Sequence, residues 1–266
     1  MQWWDVVAVL VVGVIGLLTW HWTLRGSSPQ YQWVPAAHDE IWTGHGVRLE
    51  SCNVQGLPWL ARYDKIERYL RHCRQHADVI VLQELFTPRA IRLVKRVLHG
   101  WNLLLPSPMC SGLCVATRCP AHTPQLLHFE NCSREDCLVT KGAMALQLAV
   151  CDPPLRVVNT HLQNQNADAV VPEQLQQLSA WLENKNVPTL MVGDFNAPPE
   201  QTTAFMPGQG RLLSTRKPTH QDGEELDYGW CTSDVEATVQ ASTVVQAADH
   251  VPLQFRITIP PKYWPS

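Results

Sequence analysis

The chain has 266 residues, with 21 Lys+Arg against 24 Asp+Glu, a formal charge of −3, 45% hydrophobic residues, 9 Cys, 20 Pro and 11 Trp. It is too apolar and too aromatic to be disordered, and a mildly acidic balance supplies no Lys/Arg-driven counterion release, so avid non-specific nucleic-acid binding is disfavoured. The charged fraction of 17% is low for a local reason, since the first 24 residues hold one acid and no Lys or Arg.

From Val6 to Leu18 every residue is apolar or Gly, and the run reaches 19 residues at Leu24. At about 1.5 Å per residue it spans roughly 28 Å, just enough to cross a bilayer. Trp3 and Trp4 flank one end and Trp20 and Trp22 the other, where indole rings favour the headgroup interfaces. Asp5 is the only charged side chain upstream, and Arg25-Gly26-Ser27-Ser28 is a poor cleavage site. Residues 1–25 therefore read as a single-pass transmembrane anchor, ahead of a cleaved signal sequence or a buried core helix. Arg25 lies downstream, which weakly favours a cytosolic domain. Cysteine usage pulls the other way: all nine Cys follow the anchor, five of them between Cys110 and Cys137, and their spacing matches no paired zinc pattern. Cys132 and Cys137 either pair in an oxidising compartment or are ordinary thiols in a reduced domain. Residues 26–44 have linker composition.

At this length one domain can bury a proper core. Val47 to Asn53 alternates as a half-buried strand, stopped by Gly56-Leu57-Pro58. Ile66, Tyr69, Leu70 and Cys73 recur at helical spacing, and Val79 to Leu82 is a buried strand ending in Gln83-Glu84. Ile91, Val94, Lys95 and Leu98 mark a second helix. Strands follow at Leu113 to Thr117, Met144 to Val150 and Arg156 to Leu162. Leu175, Leu178 and Leu182 then give a helix, and Thr189 to Val192 a strand leading into Gly193-Asp194-Phe195-Asn196. Polar residues keep appearing where apolar strands end, which predicts one α/β domain with its chemistry at one edge of the sheets.

Those polar residues are Asn53, Glu84, Lys141, Asn159, His161, Asp194, Asn196, Asp227, Asp249 and His250. Hard oxygen ligands with two His and one Lys are the inventory for Mg²⁺-assisted phosphoryl chemistry, because Mg²⁺ takes carboxylate and amide oxygens together with water and phosphate. Taken singly each has a bland reading, as a solvated loop residue, a turn or a cap.

The ordered combination of strand-ending Asn53, Leu82-Gln83-Glu84, Asn159-Thr160-His161-Leu162, Gly193-Asp194-Phe195-Asn196, Leu226-Asp227-Tyr228 and Asp249-His250 resembles the motif set of the endonuclease/exonuclease/phosphatase superfamily, over about Val47 to Ile257. With Asn53 to Pro58, Ser111 to Val115, Lys141-Gly142-Ala143 and Asp249-His250-Val251-Pro252 it is most similar to the neutral sphingomyelinases. In these an acidic residue also precedes the active-site lysine by five, as Asp136 precedes Lys141. Gln55 stands where that family often has Trp, and Leu226 where Ile is usual; both departures weaken the assignment to sphingomyelin in particular.

The resemblance implies a four-layer α/β/β/α sandwich, two packed, mainly antiparallel sheets flanked by helices, over residues 45–260. It implies a Mg²⁺-dependent phosphodiesterase, with Mn²⁺ as a substitute. Glu84, Asn53 and Asp249 would hold the metal, His250 would act as general base, and Asp227 would orient it. Asp194 and Asn196 would position water and phosphate, and His161 and Lys141 would contact the phosphoryl oxygens. The implied partner is a phospholipid in a membrane, with no stable nucleic-acid binding. A nuclease or a phosphoinositide phosphatase is the alternative on the same scaffold. The other nine His, including His72, His76 and His122, read as surface residues.

Overall fold

A computed structural model describes residues 31–259, apart from 37–41, 43, 45, 165–168, 184–186, 207–209 and 244–245. The expected transmembrane anchor lies outside the described residues, as does most of the linker. Among the described residues no helix is long and apolar enough to cross a membrane.

The unit Gln32–Ser266 is organised around two sheets. In chain order the elements are β1 (Tyr31–Val34), β2 (Gly46–Asn53), α1 (Tyr63–His76), β3 (Val79–Gln83), α2 (Pro88–Val97), β4 (Asn102–Pro106), β5 (Cys114–Thr117), β6 (Ala121–His128), a 3-10 turn (Arg134–Leu138), β7 (Gly142–Leu148), β8 (Leu155–His161), α3 (Val170–Leu182), β9 (Thr189–Asp194), α4 (Pro199–Thr203), β10 (Arg211–Leu213), β11 (Asp227–Cys231), β12 (Glu236–Ala241) and β13 (Leu253–Thr258). One sheet has seven strands in the order β1-β4-β5-β3-β2-β13-β12, the other six in the order β10-β11-β9-β8-β7-β6. Part of the stretch expected to be linker is thus the edge strand β1.

Local sequence explains the elements that place the site. Burial of Ile66, Tyr69, Leu70 and Cys73 on α1 follows their recurrence on one face of a 3.6-residue period. Thr87 starts α2 by accepting a hydrogen bond from the Ala90 amide on its Oγ1, with Pro88 in the first turn. Val79-Ile80-Val81-Leu82-Gln83 is buried throughout, as a central strand covered on both faces must be.

α1 and α2 share a hydrophobic cluster with one face of the seven-stranded sheet, and α3 does so with the six-stranded sheet. Between the sheets Gln83 Nε2 donates to Asn159 Oδ1 at 2.6 Å. Asn159 Nδ2 in turn donates to the carbonyls of Leu82 and Cys114 at 2.8 and 2.9 Å. Two buried amides therefore pin sheet to sheet, although among the described residues Gln83 Oε1 is left buried without a partner. The sheets are mixed rather than uniformly antiparallel: β2 runs parallel to β3 and β8 parallel to β9. A parallel pair needs a crossover, and α1 and α3 supply one each.

Strand direction then decides where the chemistry collects. The parallel pairs end together, at Asn53 beside Gln83 and at His161 opposite Asp194. β7, β11 and β13 are antiparallel to neighbours in those pairs, so they begin at that edge: Gly142 lies opposite His161, Asp227 opposite Asp194, and Leu253 opposite Ser51. Lys141 and Asp249-His250 sit just before two of these starts. The single polar edge expected from sequence is present.

Candidate active site

Three residues of this edge leave their strands in the left-handed region: Gln55 at φ 46°, Glu84 at φ 58° and Asn196 at φ 48°. Asn tolerates this conformation, whereas Glu and Gln are held in it by their surroundings. Around Glu84 the restraint is visible, since its carbonyl accepts from Gly56 N at 2.9 Å and the next amide, Leu85, donates to Gly112 O at 2.8 Å. A side chain at Gly56 would lie 2.4 Å from the Glu84 carbonyl oxygen, so only glycine lets the two loops meet.

Asn53 joins the two sheets at their ends. Its Nδ2 donates to Glu84 Oε1 and to Asp194 Oδ2, both at 3.0 Å, while its Oδ1 accepts from Gln55 N at 3.0 Å. As placed, Asn53 presents nitrogen to the carboxylates, and an oxygen-ligand role requires the amide to reverse. Burial pushes the Glu84 carboxyl above its ordinary range against the pull of Asn53 and Lys141. It pushes Asp194 up as well, with Asp227 adding to the rise and His250 opposing it.

The His250–Asp227 pair is tight, with Nδ1 to Oδ2 at 2.7 Å and both side chains buried. Burial opposes the charged imidazole, but Asp227, Asp194 and Asp249 outweigh it and push His250 up to about 10. The other nitrogen, Nε2, lies 3.7 Å from Asp194 Oδ2. Asp194 Oδ2 is also 3.6 Å from His161 Nε2. Burial drives His161 well below its ordinary value, helped by Lys141 and His250, so it is a neutral imidazole.

Lys141 donates to three acceptors: Asp136 Oδ2 at 2.9 Å, His161 Nε2 at 3.0 Å and the Leu162 carbonyl at 2.7 Å. Its three protons are thereby engaged, which fixes His161 with Nε2 as acceptor and its proton on Nδ1. Asn196 Nδ2 donates to the same Leu162 carbonyl at 3.0 Å, and Asn196 N to Asp194 Oδ1 at 2.9 Å. Asp136, which by itself reads as a loop charge, is held in a loop closed by the Cys132–Cys137 disulfide. It also accepts from Gln163 Nε2 and Asn164 N at 2.8 and 2.9 Å.

Asp249 has partners other than those of Glu84. Its Oδ2 accepts from Gln55 Nε2 at 2.7 Å and lies 3.7 Å from His220 Nε2, and its buried Oδ1 has no partner. His220 is the member that sequence reasoning missed by grouping it with surface histidines. Its side chain is only 15% exposed, and its ring lies 4.7 Å from that of His250. Backbone bonds clamp it there, from Gln221 N to Asp249 O at 3.1 Å and from Val251 N to Thr219 O at 2.7 Å. Thr219 Oγ1 accepts from both Leu226 N and Asp227 N at 2.9 Å. No linear signal marks this turn, because its function comes from pairing with residues some 30 positions away.

Two groups of donor atoms lie within 4.8 Å of one another, Asp194/Asp227/His250 and His220/Asp249/His250. Half-buried Glu84 and buried Asp194 share the Asn53 amide donor, and with Asp227 they set three carboxylates against one imidazole and one lysine. A divalent cation taken up by these oxygens would relieve that excess of buried negative charge, so the donor set fits the expected metal. Glu84, Asn53 and Asp194 gather through the Asn53 amide; Asp249 joins through Gln55, His220 and the His250 ring.

A model of the Endonuclease/Exonuclease/phosphatase family matches residues 51–265. No curated protein sequence matches the chain. Among solved structures, the beta toxin of Staphylococcus aureus, in a variant with bound magnesium ions, is similar at TM-score 0.64 and 14% identity, covering 79% of this chain and 99% of that one. Sphingomyelinase C of Streptomyces griseocarneus is similar at TM-score 0.58 and 17% identity, covering 79% and 99%. Truncated TDP2 of Caenorhabditis elegans is similar at TM-score 0.64 and 13% identity, covering 80% and 98%. At these identities the likeness establishes a shared fold.

Proposed function

The chain belongs to the Endonuclease/Exonuclease/phosphatase family, and from that premise we propose that it is a Mg²⁺-dependent phosphodiesterase of the sphingomyelinase type, releasing phosphocholine from sphingomyelin. The observation that carries the reading is the buried dyad of His250 and Asp227 at 2.7 Å, set against the carboxylates Glu84 and Asp194. Glu84 and Asp194, joined by Asn53, would hold the metal, and Mg²⁺ bound there supplies charge neutralisation for a non-bridging phosphate oxygen.

The chain's own residues do the rest. His250 Nε2 faces Asp194, and once a bound cation offsets the carboxylates that raise it, it would take the proton from the attacking water, while Asp227 keeps Nδ1 protonated and stabilises the imidazolium that forms. Burial, helped by Lys141 and His250, lowers the pKa of His161, and Lys141 on its Nε2 fixes the ring beside Asp194. Asn196, whose Nδ2 holds the Leu162 carbonyl, would help position the phosphoryl group. The apolar run from Val6 to Leu24 supports a lipid substrate, because a membrane anchor would keep the site beside headgroups.

The direct experiment gives purified protein sphingomyelin vesicles and Mg²⁺, with His250→Ala as blank. Phosphocholine release is expected; none, with bis(p-nitrophenyl) phosphate still cut, defeats the lipid assignment. A second reading, a polyanionic phosphodiester such as nucleic acid, draws on a groove of about 560 Å³ where Arg89, Arg92 and Arg96 meet α1. Arg96 is already paired with Glu67 at 2.7 Å, which weakens it, and a plasmid-nicking assay run alongside separates the two.

A further inference from the structure

Asn196 also opens onto a groove of about 590 Å³, lined by Val171 and Leu175 of α3, Pro198, Gln201 of α4, Phe205 beyond α4, and Glu224. Among the described residues no Lys, Arg or His lines it. Glu224 is exposed, and among the described residues its carboxylate makes no hydrogen bond or ion pair. Its neighbour Glu225 differs: that carboxylate accepts from Ser214 Oγ, Thr215 Oγ1 and Arg216 N, and so has a structural task. The Glu224 backbone is nevertheless fixed, its carbonyl accepting from Thr219 N and His220 N at 2.9 and 3.0 Å. The turn that brings His220 to the catalytic dyad thus also sets Glu224 on the groove.

An uncompensated carboxylate, an aromatic ring and apolar walls suit a cation whose own surface is apolar. A quaternary ammonium meets that description: its methyl groups pack on the walls without losing hydrogen bonds, and its charge faces the ring and the carboxylate. A primary ammonium could bond Glu224 or Gln201 with part of its N–H donors but would leave the rest against Val171, Leu175 and Pro198, at a desolvation cost. Lipid tails are the wrong occupant, since in a bilayer they stay in the hydrocarbon while the headgroup enters the protein.

We propose that this groove is the subsite for the quaternary-ammonium end of a phosphocholine-type headgroup whose phosphate lies at the catalytic edge beside Asn196. The proposal rests on the phosphodiesterase reading above and assigns headgroup selection to Glu224 and Phe205, two residues outside every motif of the resemblance.

The test is equilibrium binding of phosphocholine, phosphoethanolamine and inorganic phosphate to the full chain in Mg²⁺, followed by calorimetry. Phosphocholine should bind about threefold to tenfold more tightly than inorganic phosphate, the range of one partly exposed cation–π and carboxylate contact. Phosphoethanolamine should fall between them. In Glu224→Gln and in Phe205→Leu the ratio should collapse towards one, with melting temperature checking that each variant is folded. Equal binding of phosphocholine and phosphate by the unaltered chain, no measurable phosphocholine binding, or a preference that survives both substitutions overturns the subsite. The two ideas fail separately: a preference without sphingomyelin cleavage removes the proposed reaction and leaves the subsite, and cleavage without a preference does the reverse.

Discussion

Replacing Asp227 by Asn removes one charge from the dyad and keeps its shape. Moving an imidazole from its ordinary value of 6.5 to about 10 corresponds to roughly 5 kcal/mol in favour of the charged form, net of burial. Asp227, first of the three carboxylates that raise it and in contact at 2.7 Å, supplies the largest share. Without it, Asp194 at 3.7 Å and Asp249 must oppose burial alone, and His250 should titrate several pH steps lower. Imidazole proton resonances followed from pH 5 to 11 in metal-free protein would measure this. The same perturbation has a stability signature with a defined sign. The folded value lies above the unfolded one, so the contribution is fully present below about pH 6.5 and is lost as pH rises through about 10. The unaltered metal-free chain should therefore lose stability across that window, and Asp227→Asn should show less of this loss. Turnover with Mg²⁺ should drop about 10²- to 10⁴-fold, because Asn no longer enforces the Nδ1–H tautomer. An unchanged His250 titration together with activity within a few-fold of the parent would refute the assignment of base and orienting residue.

Adding Mg²⁺ should lower the His250 titration midpoint, since a cation beside Asp194 offsets the charge that raises it; an upward or absent shift places the metal elsewhere. Glu84→Gln should raise the Mg²⁺ concentration needed for half-maximal activity about 10- to 100-fold, read from a metal titration after EDTA treatment. Exchanging Cys132 and Cys137 for Ser frees the loop that holds Asp136 against Lys141. Activity should fall about fivefold to tenfold, roughly 1 kcal/mol of positioning; the loss should not add to that of Asp136→Asn, and full additivity would show two separate effects. Gly193→Ala would put a methyl 2.0 Å from the Thr160 carbonyl oxygen inside the β8–β9 pair. It should cost about 2–3 kcal/mol, several degrees in melting temperature.

The sequence was legible where periodicity and chemistry coincide. The four residues buried on α1, the apolar run of β3 and the Gly193-to-Asn196 turn were readable because burial imposes a period on a strand or helix. Edge strands β1 and β6, the latter half-exposed and containing Pro124, carry no such pattern and went unread. Cys132 and Cys137 were balanced between thiol and disulfide on spacing, and the folded loop brings their Cα atoms to 5.2 Å.

For the site, the strand-ending polar residues supplied an inventory suited to metal-assisted phosphoryl chemistry, and the resemblance carried by their ordered motifs grouped Glu84, Asp194, Asp227 and His250. What remained open was which atom faces which. Tertiary structure turned the Asn53 nitrogen towards the carboxylates, engaged every proton of Lys141 and tied Asp249 to Gln55 and His220. It also brought in His220 and Glu224 through a turn whose hydrogen bonds reach residues 249–251. Chain order encodes which residue types arrive at a sheet edge, but distance and orientation there depend on how two sheets pack, and that is a property of the whole core rather than of any segment.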